Sequence, residues 1–192
     1  GNAIADILIG NVNPSGKLNI SMPRSTGNTP CFYNYFPTDR EQQFDSGGTY
    51  DDPKGHYIFE KPYAIWNFGY GLSYTNFEFF NCKLNKEFFA SDDKIIVSLD
   101  VKNTGEMDGK EVVQVYINDK YSSVATPVQQ LKAFEKVFVK AGEVIKLQLE
   151  IPVSELSLYN AKVEKVVEPG EFEIQIGSSS DNIVFKKTIT VQ

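Results

Sequence analysis

From Ile95 onward, apolar residues fall at every second position: Ile95, Val97, Leu99 and Val101, then Val113, Val115 and Ile117. A period of two marks a strand with one face against a core. The pattern recurs at Leu131–Val139, at Val144–Ile151, at Phe172, Ile174 and Ile176, and at Val184–Val191, with Phe77, Phe79 and Cys82 on a first strand. Turn residues separate these runs: Asn103-Thr104-Gly105, Ala141-Gly142 and Glu168-Pro169-Gly170. Lys162–Val167 reads as a further strand and Ser154-Glu155-Leu156-Ser157 as one helical turn. Many short alternating strands with regular turns imply a mainly β chain, an immunoglobulin-like antiparallel β-sandwich of about seven strands from Phe77 to Gln192. Its expected core is Val97, Leu99, Val113, Val115, Phe134, Leu147, Leu149, Phe172, Ile174 and Ile176.

The first third of the chain is different. Ala3, Ile4, Ile7 and Leu8 fall at helical spacing, with Gly10 as a stop. Asn13-Pro14-Ser15-Gly16 turns the chain, and Leu18, Ile20 and Met22 alternate as a strand ended by Pro23. One helix and one strand cannot bury their own apolar faces. They must pack on a domain outside this sequence, on the β-domain that follows, or on another copy. Residues 24–62 show no sustained period but carry Phe32, Tyr33, Tyr35, Phe36, Phe44, Tyr50, Tyr57 and Phe59. So aromatic a loop is either a wall beside a sugar site or a segment stapled down by its own rings. The packing needed to order a loop of this length favours the staple.

The formal net charge of −6 argues against nucleic-acid binding, which wants a basic patch, and the lysines are scattered along the chain. No apolar run approaches the length of a membrane helix. Cys31 and Cys82 do not make a disulfide scaffold; each reads as a small buried hydrophobe, with one bridge between them as the alternative.

Trp66-Asn67-Phe68-Gly69-Tyr70-Gly71-Leu72-Ser73-Tyr74-Thr75 stands between the two regions. Its rings offer apolar area with polar tips, and its glycines permit close backbone approach. Trp66, Phe68, Gly69, Tyr70, Gly71 and Tyr74 are therefore expected to form a structural junction buried against the sandwich. Phe68–Thr75 resembles the junction motif of family 3 glycoside hydrolases, the β-glucosidase family. Gly1–Leu18 resembles the end of that family's second catalytic-module domain. Glu111–Tyr116, Ser122–Val128 and Leu131-Lys132-Ala133-Phe134 resemble its fibronectin III-like domain. The resemblance implies three segments: residues 1–23 as the end of an α/β-sandwich domain, 24–75 as an aromatic connecting loop and junction, and 76–192 as a fibronectin type III-like domain. It also implies a parent that is a retaining β-glucosidase-type hydrolase, periplasmic or secreted, acting on an oligo- or polysaccharide. The partners implied are the catalytic domains of the same parent chain, with a homo-oligomer left open.

Chemistry is sparse by comparison. Retaining glycosidases need two carboxyl groups about 5–5.5 Å apart. Nothing in the spacing places such a pair, and Asp51-Asp52 reads as a solvated turn. The resemblance implies a nucleophilic aspartate in the family's first domain and an acid/base upstream of Gly1. Neither motif occurs here, so no catalytic residue is assigned and no substrate-binding residue is identified. His56 is the only histidine and no Gly-x-Ser-x-Gly elbow accompanies it. No His, Cys, Asp or Glu cluster is spaced for a metal. Gly105–Lys110 fails as a phosphate loop because Glu111 stands where Ser or Thr is needed. No cofactor is expected. Asn19-Ile20-Ser21 fits the glycosylation pattern but lies in an expected strand. The rival readings are a carbohydrate-binding module and a protein-interaction sandwich. The helix–strand stub argues against both, since a free-standing module has no use for it.

Overall fold

The computed structural model describes residues 1–37, 49–51, 61 and 63–192. Phe44, Tyr57, Phe59, His56 and Asp52 lie outside the described residues. Helix α1 spans Asn2–Leu8 and ends at Gly10 (φ +82°). The strands that follow are β1 (Phe77–Leu84), β2 (Phe88–Phe89), β3 (Lys94–Asn103), β4 (Gly109–Asp119) and β5 (Gln130–Val139). After them come β6 (Val144–Pro152), β7 (Leu158–Tyr159), β8 (Lys165–Val166), β9 (Gly170–Gly177) and β10 (Ile183–Val191). A single 3₁₀ turn at Val153–Leu156 follows β6, where the sequence pattern puts one helical turn.

Two sheets face each other. One has the order β1-β3-β6 and the other β2-β10-β9-β4-β5. Every long pairing is antiparallel; only the short β2 runs parallel, to β10. The core between them is the alternating set: Ile95, Val97, Leu99 and Val101 of β3 meet Val113, Val115 and Ile117 of β4 and Phe172, Ile174 and Ile176 of β9. Burying each such side chain is worth roughly 1.5–3 kcal/mol. Eight of the ten expected core residues are buried; Leu147 is half-buried against the same cluster.

Phe134 is the exception, at 63% exposed. On β5 the inward positions are Ala133, Val137 and Val139, and Phe134 shares the opposite face with Phe138. Phe134 pairs with Gln114, a residue of the outer face of β4, so it points outward with it; the one irregularity in this ladder leaves Lys132 of β5 unpaired and lies beyond Phe134. Three further expectations change. Leu18–Met22 is not a regular strand: it makes one antiparallel bridge, Met22 to Trp66, and a few backbone bonds. Lys162–Val167 shrinks to Lys165–Val166, because Val163 takes φ +63° in a turn closed on Asn160. Cys31 and Cys82 are free thiols, both half-buried, and burial raises the pKa of each.

Asn103, at the end of β3, is fully buried. Its amide donates to the carbonyls of Met107 (2.8 Å) and Val139 (3.0 Å), and its carbonyl accepts from Thr75 Oγ1 (2.5 Å) and Gly105 N (3.1 Å). That uses the full capacity of a carboxamide. It ties the β3–β4 turn, the end of β5 and the segment entering β1. Asn103→Ala strands several of these groups in a dry interior, so it should lower unfolding free energy by about 3 kcal/mol in a urea titration.

Candidate functional site

Strand β4 is buried along both faces. Val113, Val115 and Ile117 face the sandwich core, while Val112, Gln114 and Tyr116 belong to the outer face and are also buried. The cover on that outer face is the junction. Gly69 sits on Gln114, whose amide donates to the Gly69 carbonyl (3.2 Å) and to the Ser178 carbonyl (2.5 Å). The Tyr116 hydroxyl donates to Gln114 Oε1 at 2.6 Å. Burial pushes the Tyr116 phenol far above its ordinary range, with Tyr33 and Asp181 adding to it, so the ring stays neutral and keeps its proton for Gln114.

Phe68 completes the contact. Its ring stacks on Tyr33 (centroids 4.1 Å) and meets Tyr116 edge-on (6.4 Å). Its carbonyl accepts from Ser180 N (2.9 Å), and its own N–H donates to Ser21 Oγ (3.2 Å). Asn67 donates to Asp181 at 2.7 Å.

The N-terminal stub grips the same place. Gly69 N donates to Leu18 O, and Leu18 N to Tyr70 O, both at 2.8 Å. Asn13 Oδ1 accepts from Ser73 Oγ (2.9 Å) and Tyr74 N (2.8 Å), while its amide donates to Asp108 O (3.0 Å). Tyr74 Oη donates to Ile7 O at 2.8 Å. Lys17 and Glu111 form an ion pair at 2.6 Å with side chains only 17% and 10% exposed. A Cβ on Gly71 would meet the Gly16 carbonyl and Lys17 Cδ, so no larger residue fits between stub and junction.

Of the six expected junction residues, Gly69 is buried and Phe68, Tyr70 and Gly71 are half-buried. Trp66 and Tyr74 are 46% and 51% exposed. The expectation that the whole stretch is buried is therefore wrong for these two rings. The segment is docked by its backbone and by small residues, Ala64, Gly69 and Thr75, which leaves the wider rings at its rim. Within the described part of the aromatic loop, Tyr33 is the staple: its hydroxyl accepts from Leu131 N (3.3 Å) and its carbonyl from Gln129 (3.4 Å). Phe32, Phe36 and Tyr50 stay 63%, 55% and 79% exposed.

Catalytic geometry is absent from the described residues. Glu173 and Asp181 share one depression, but Glu173 is held by Lys120 (3.1 Å) and Lys186 (3.6 Å), and Asp181 by Asn67 and Ser179. Burial pushes Glu173 up, and the bonds from Lys120 and Gln175 more than reverse it, leaving it below its ordinary range. A general acid needs the opposite shift. No group of three His, Cys, Asp or Glu able to hold a metal occurs among the described residues, and no described helix is long and apolar enough to cross a membrane. Gln114, Tyr116, Asn13 and the Lys17–Glu111 pair were not singled out by sequence pattern. The available signal was the run Val112–Ile117, apolar or aromatic at every position but Gln114, which a strand with one wet face does not need.

Gly69 has φ +82°, and a Cβ there would be driven into Gln114 and within 2.9 Å of the Tyr116 hydroxyl. Gly69→Ala should therefore cost roughly 2–4 kcal/mol of stability, from backbone strain and overpacking together. Trp66→Ala, at a half-exposed position, should cost no more than about 1–2 kcal/mol. Parallel chemical-denaturation curves check the order of the two.

Comparison with known proteins agrees in sequence and in fold. The family model described as "Glycosyl hydrolase family 3 C-terminal domain" matches residues 1–74, and "Fibronectin type III-like domain" matches residues 111–180. A periplasmic beta-glucosidase of Salmonella typhimurium is 39% identical over 183 residues, covering 95% of this chain and 24% of the relative. A beta-xylosidase of Formosa agariphila is also 39% identical, over 94% of this chain and 24% of its own length. The crystal structure of a beta-glucosidase from Listeria innocua in complex with isofagomine superposes with a TM-score of 0.90 at 37% identity, covering 100% of this chain and 26% of that one. The chain thus spans about a quarter of the length of the relatives it matches. It belongs to glycoside hydrolase family 3, as that family's C-terminal region: the end of the C-terminal catalytic-module domain joined to the fibronectin III-like sandwich.

Proposed function

We propose that this chain is the C-terminal scaffold of a retaining β-glucosidase-type hydrolase and that the rest of the catalytic module docks on its stub and junction. The observation that carries this reading is a group of exposed apolar side chains on the stub and junction. Ile4, Leu8, Ile9, Ile20, Trp66 and Leu72 are 46–75% exposed, all within the stub and junction. A surface this apolar marks a contact site. The beta-glucosidases and beta-xylosidase above, each about four times longer, supply the natural occupant: the remainder of the α/β domain. The junction residues Trp66, Phe68, Gly69, Tyr70, Gly71 and Tyr74 then serve structure, holding residues 1–23 and 24–75 in fixed register with the sandwich at 76–192. The parent hydrolyses terminal β-linked sugars, glucose first, with retention at the anomeric carbon, in the periplasm or outside the cell.

Both reacting carboxylates belong to the parent's other domains, so the isolated chain has neither leaving-group protonation nor a glycosyl-enzyme intermediate available. Assay of chain and parent on an aryl β-glucoside should give turnover by the parent alone; turnover by the purified chain would overturn the assignment. Docking has its own test. Leu8→Asp, at a residue 75% exposed, should move the stability of this chain by less than about 0.5 kcal/mol. In the parent the same change places an unpaired charge in a buried contact and should lower the melting temperature by several degrees. Equal small effects in both would mean that nothing covers the stub.

A further inference from the structure

Beyond the strip covered by the junction, the outer face of the five-stranded sheet is an open depression of about 620 Å³. Its floor is Asn118 of β4 with Glu173 and Gln175 of β9; Tyr35 and Ser180 stand on one side and Lys186 on another. The charges there are already matched. Lys120 and Lys186 both reach Glu173, and Asp181 accepts from Asn67 and Ser179. With two lysines and two carboxylates around it, the depression carries no net charge to attract an anion or a cation.

What the depression offers is neutral hydrogen bonding. Gln175 is 5% exposed; its amide donates to Glu173 at 2.8 Å, and its carbonyl has no partner among the described residues. Ser180 is 7% exposed, and its hydroxyl likewise has no side-chain or backbone partner there. The Asn118 carboxamide makes no hydrogen bond among the described residues either. Buried polar groups are rarely left unmatched, so these are completed by water or by a ligand that displaces it. Tyr35, 47% exposed, adds an aromatic wall beside them. Planar amides, a hydroxyl and a half-open ring are the chemistry that recognises the hydroxyls and apolar faces of a sugar.

We propose that this depression is an accessory binding site for a neutral, hydroxyl-rich oligosaccharide. It lies on the sandwich itself and is independent of where the parent's chemistry takes place, so it stands or falls apart from the proposed activity. The probes are cellohexaose and laminarihexaose, titrated calorimetrically into the 192-residue chain and followed by backbone amide shifts. Saturable binding is expected with at least one of them, with shifts concentrated at Asn118, Glu173, Gln175 and Lys186. Asn118→Ala and Tyr35→Ala should each weaken it about tenfold, one good contact apiece. Added sodium chloride should leave it unchanged. Unaltered melting curves of the two variants separate lost contacts from lost folding, and the shift map of the unmodified chain needs no variant. No heat and no shifts with either sugar, binding indifferent to both substitutions, or binding abolished by salt would each overturn the proposal.

Discussion

The contact between Gly69 and the Gln114–Tyr116 pair is the constraint on which the rest of the chain depends. A sandwich strand ordinarily keeps one face wet, but β4 is dry on both, and its outer face carries a carboxamide and a phenol that water no longer reaches. Both groups must find partners within the protein. They find each other, the Ser178 carbonyl and the backbone of Gly69. Only a residue without a side chain lets the covering segment come that close. The aromatic stack of Phe68 and Tyr33, and the bonds from Leu18, then follow from where Gly69 has been placed.

The stub follows the same logic. Asn13 and Lys17 are polar residues whose partners, Asp108, Ser73, Tyr74 and Glu111, lie 60 or more positions away in every case. Such links carry little hydrophobic energy, but they fix orientation. Among the described residues nothing covers Ile4 and Leu8 of the helix behind them or Ile9 at its end, which argues against a reading as a self-sufficient module.

Much of the sandwich could be read from the sequence because β3 and β9 obey period two with polar residues between. Val97, Leu99, Ile174 and Ile176 needed no other information. Phe134 misled because β5 carries large apolar residues on both faces, and only its pairing with Gln114 shows which face is outward. Phe88–Phe89 was missed because two residues have no period. At the junction, the glycines announced close approach but not what would be approached. Gln114 and Tyr116 lie 45 to 47 residues downstream of Gly69, and no local pattern encodes that distance. Trp66 shows the converse error: size and hydrophobicity suggest burial, yet a segment docked by its backbone can leave its widest ring at the rim.

The grip of stub on sandwich also bears on how the molecule comes apart. Domain boundaries are usually places where few contacts cross and where each side can open alone. Here residues 13–22 and 66–75 are laced to each other, to the β3–β4 turn and to the outer face of β4. Opening the sandwich at β4 releases Gly69, and freeing Gly69 exposes Gln114 and Tyr116 without partners. The resemblance puts a boundary between residues 75 and 76, yet this lacing should make the two sides melt as one cooperative unit. A protease that cuts within the connecting segment should leave two pieces that still cling together.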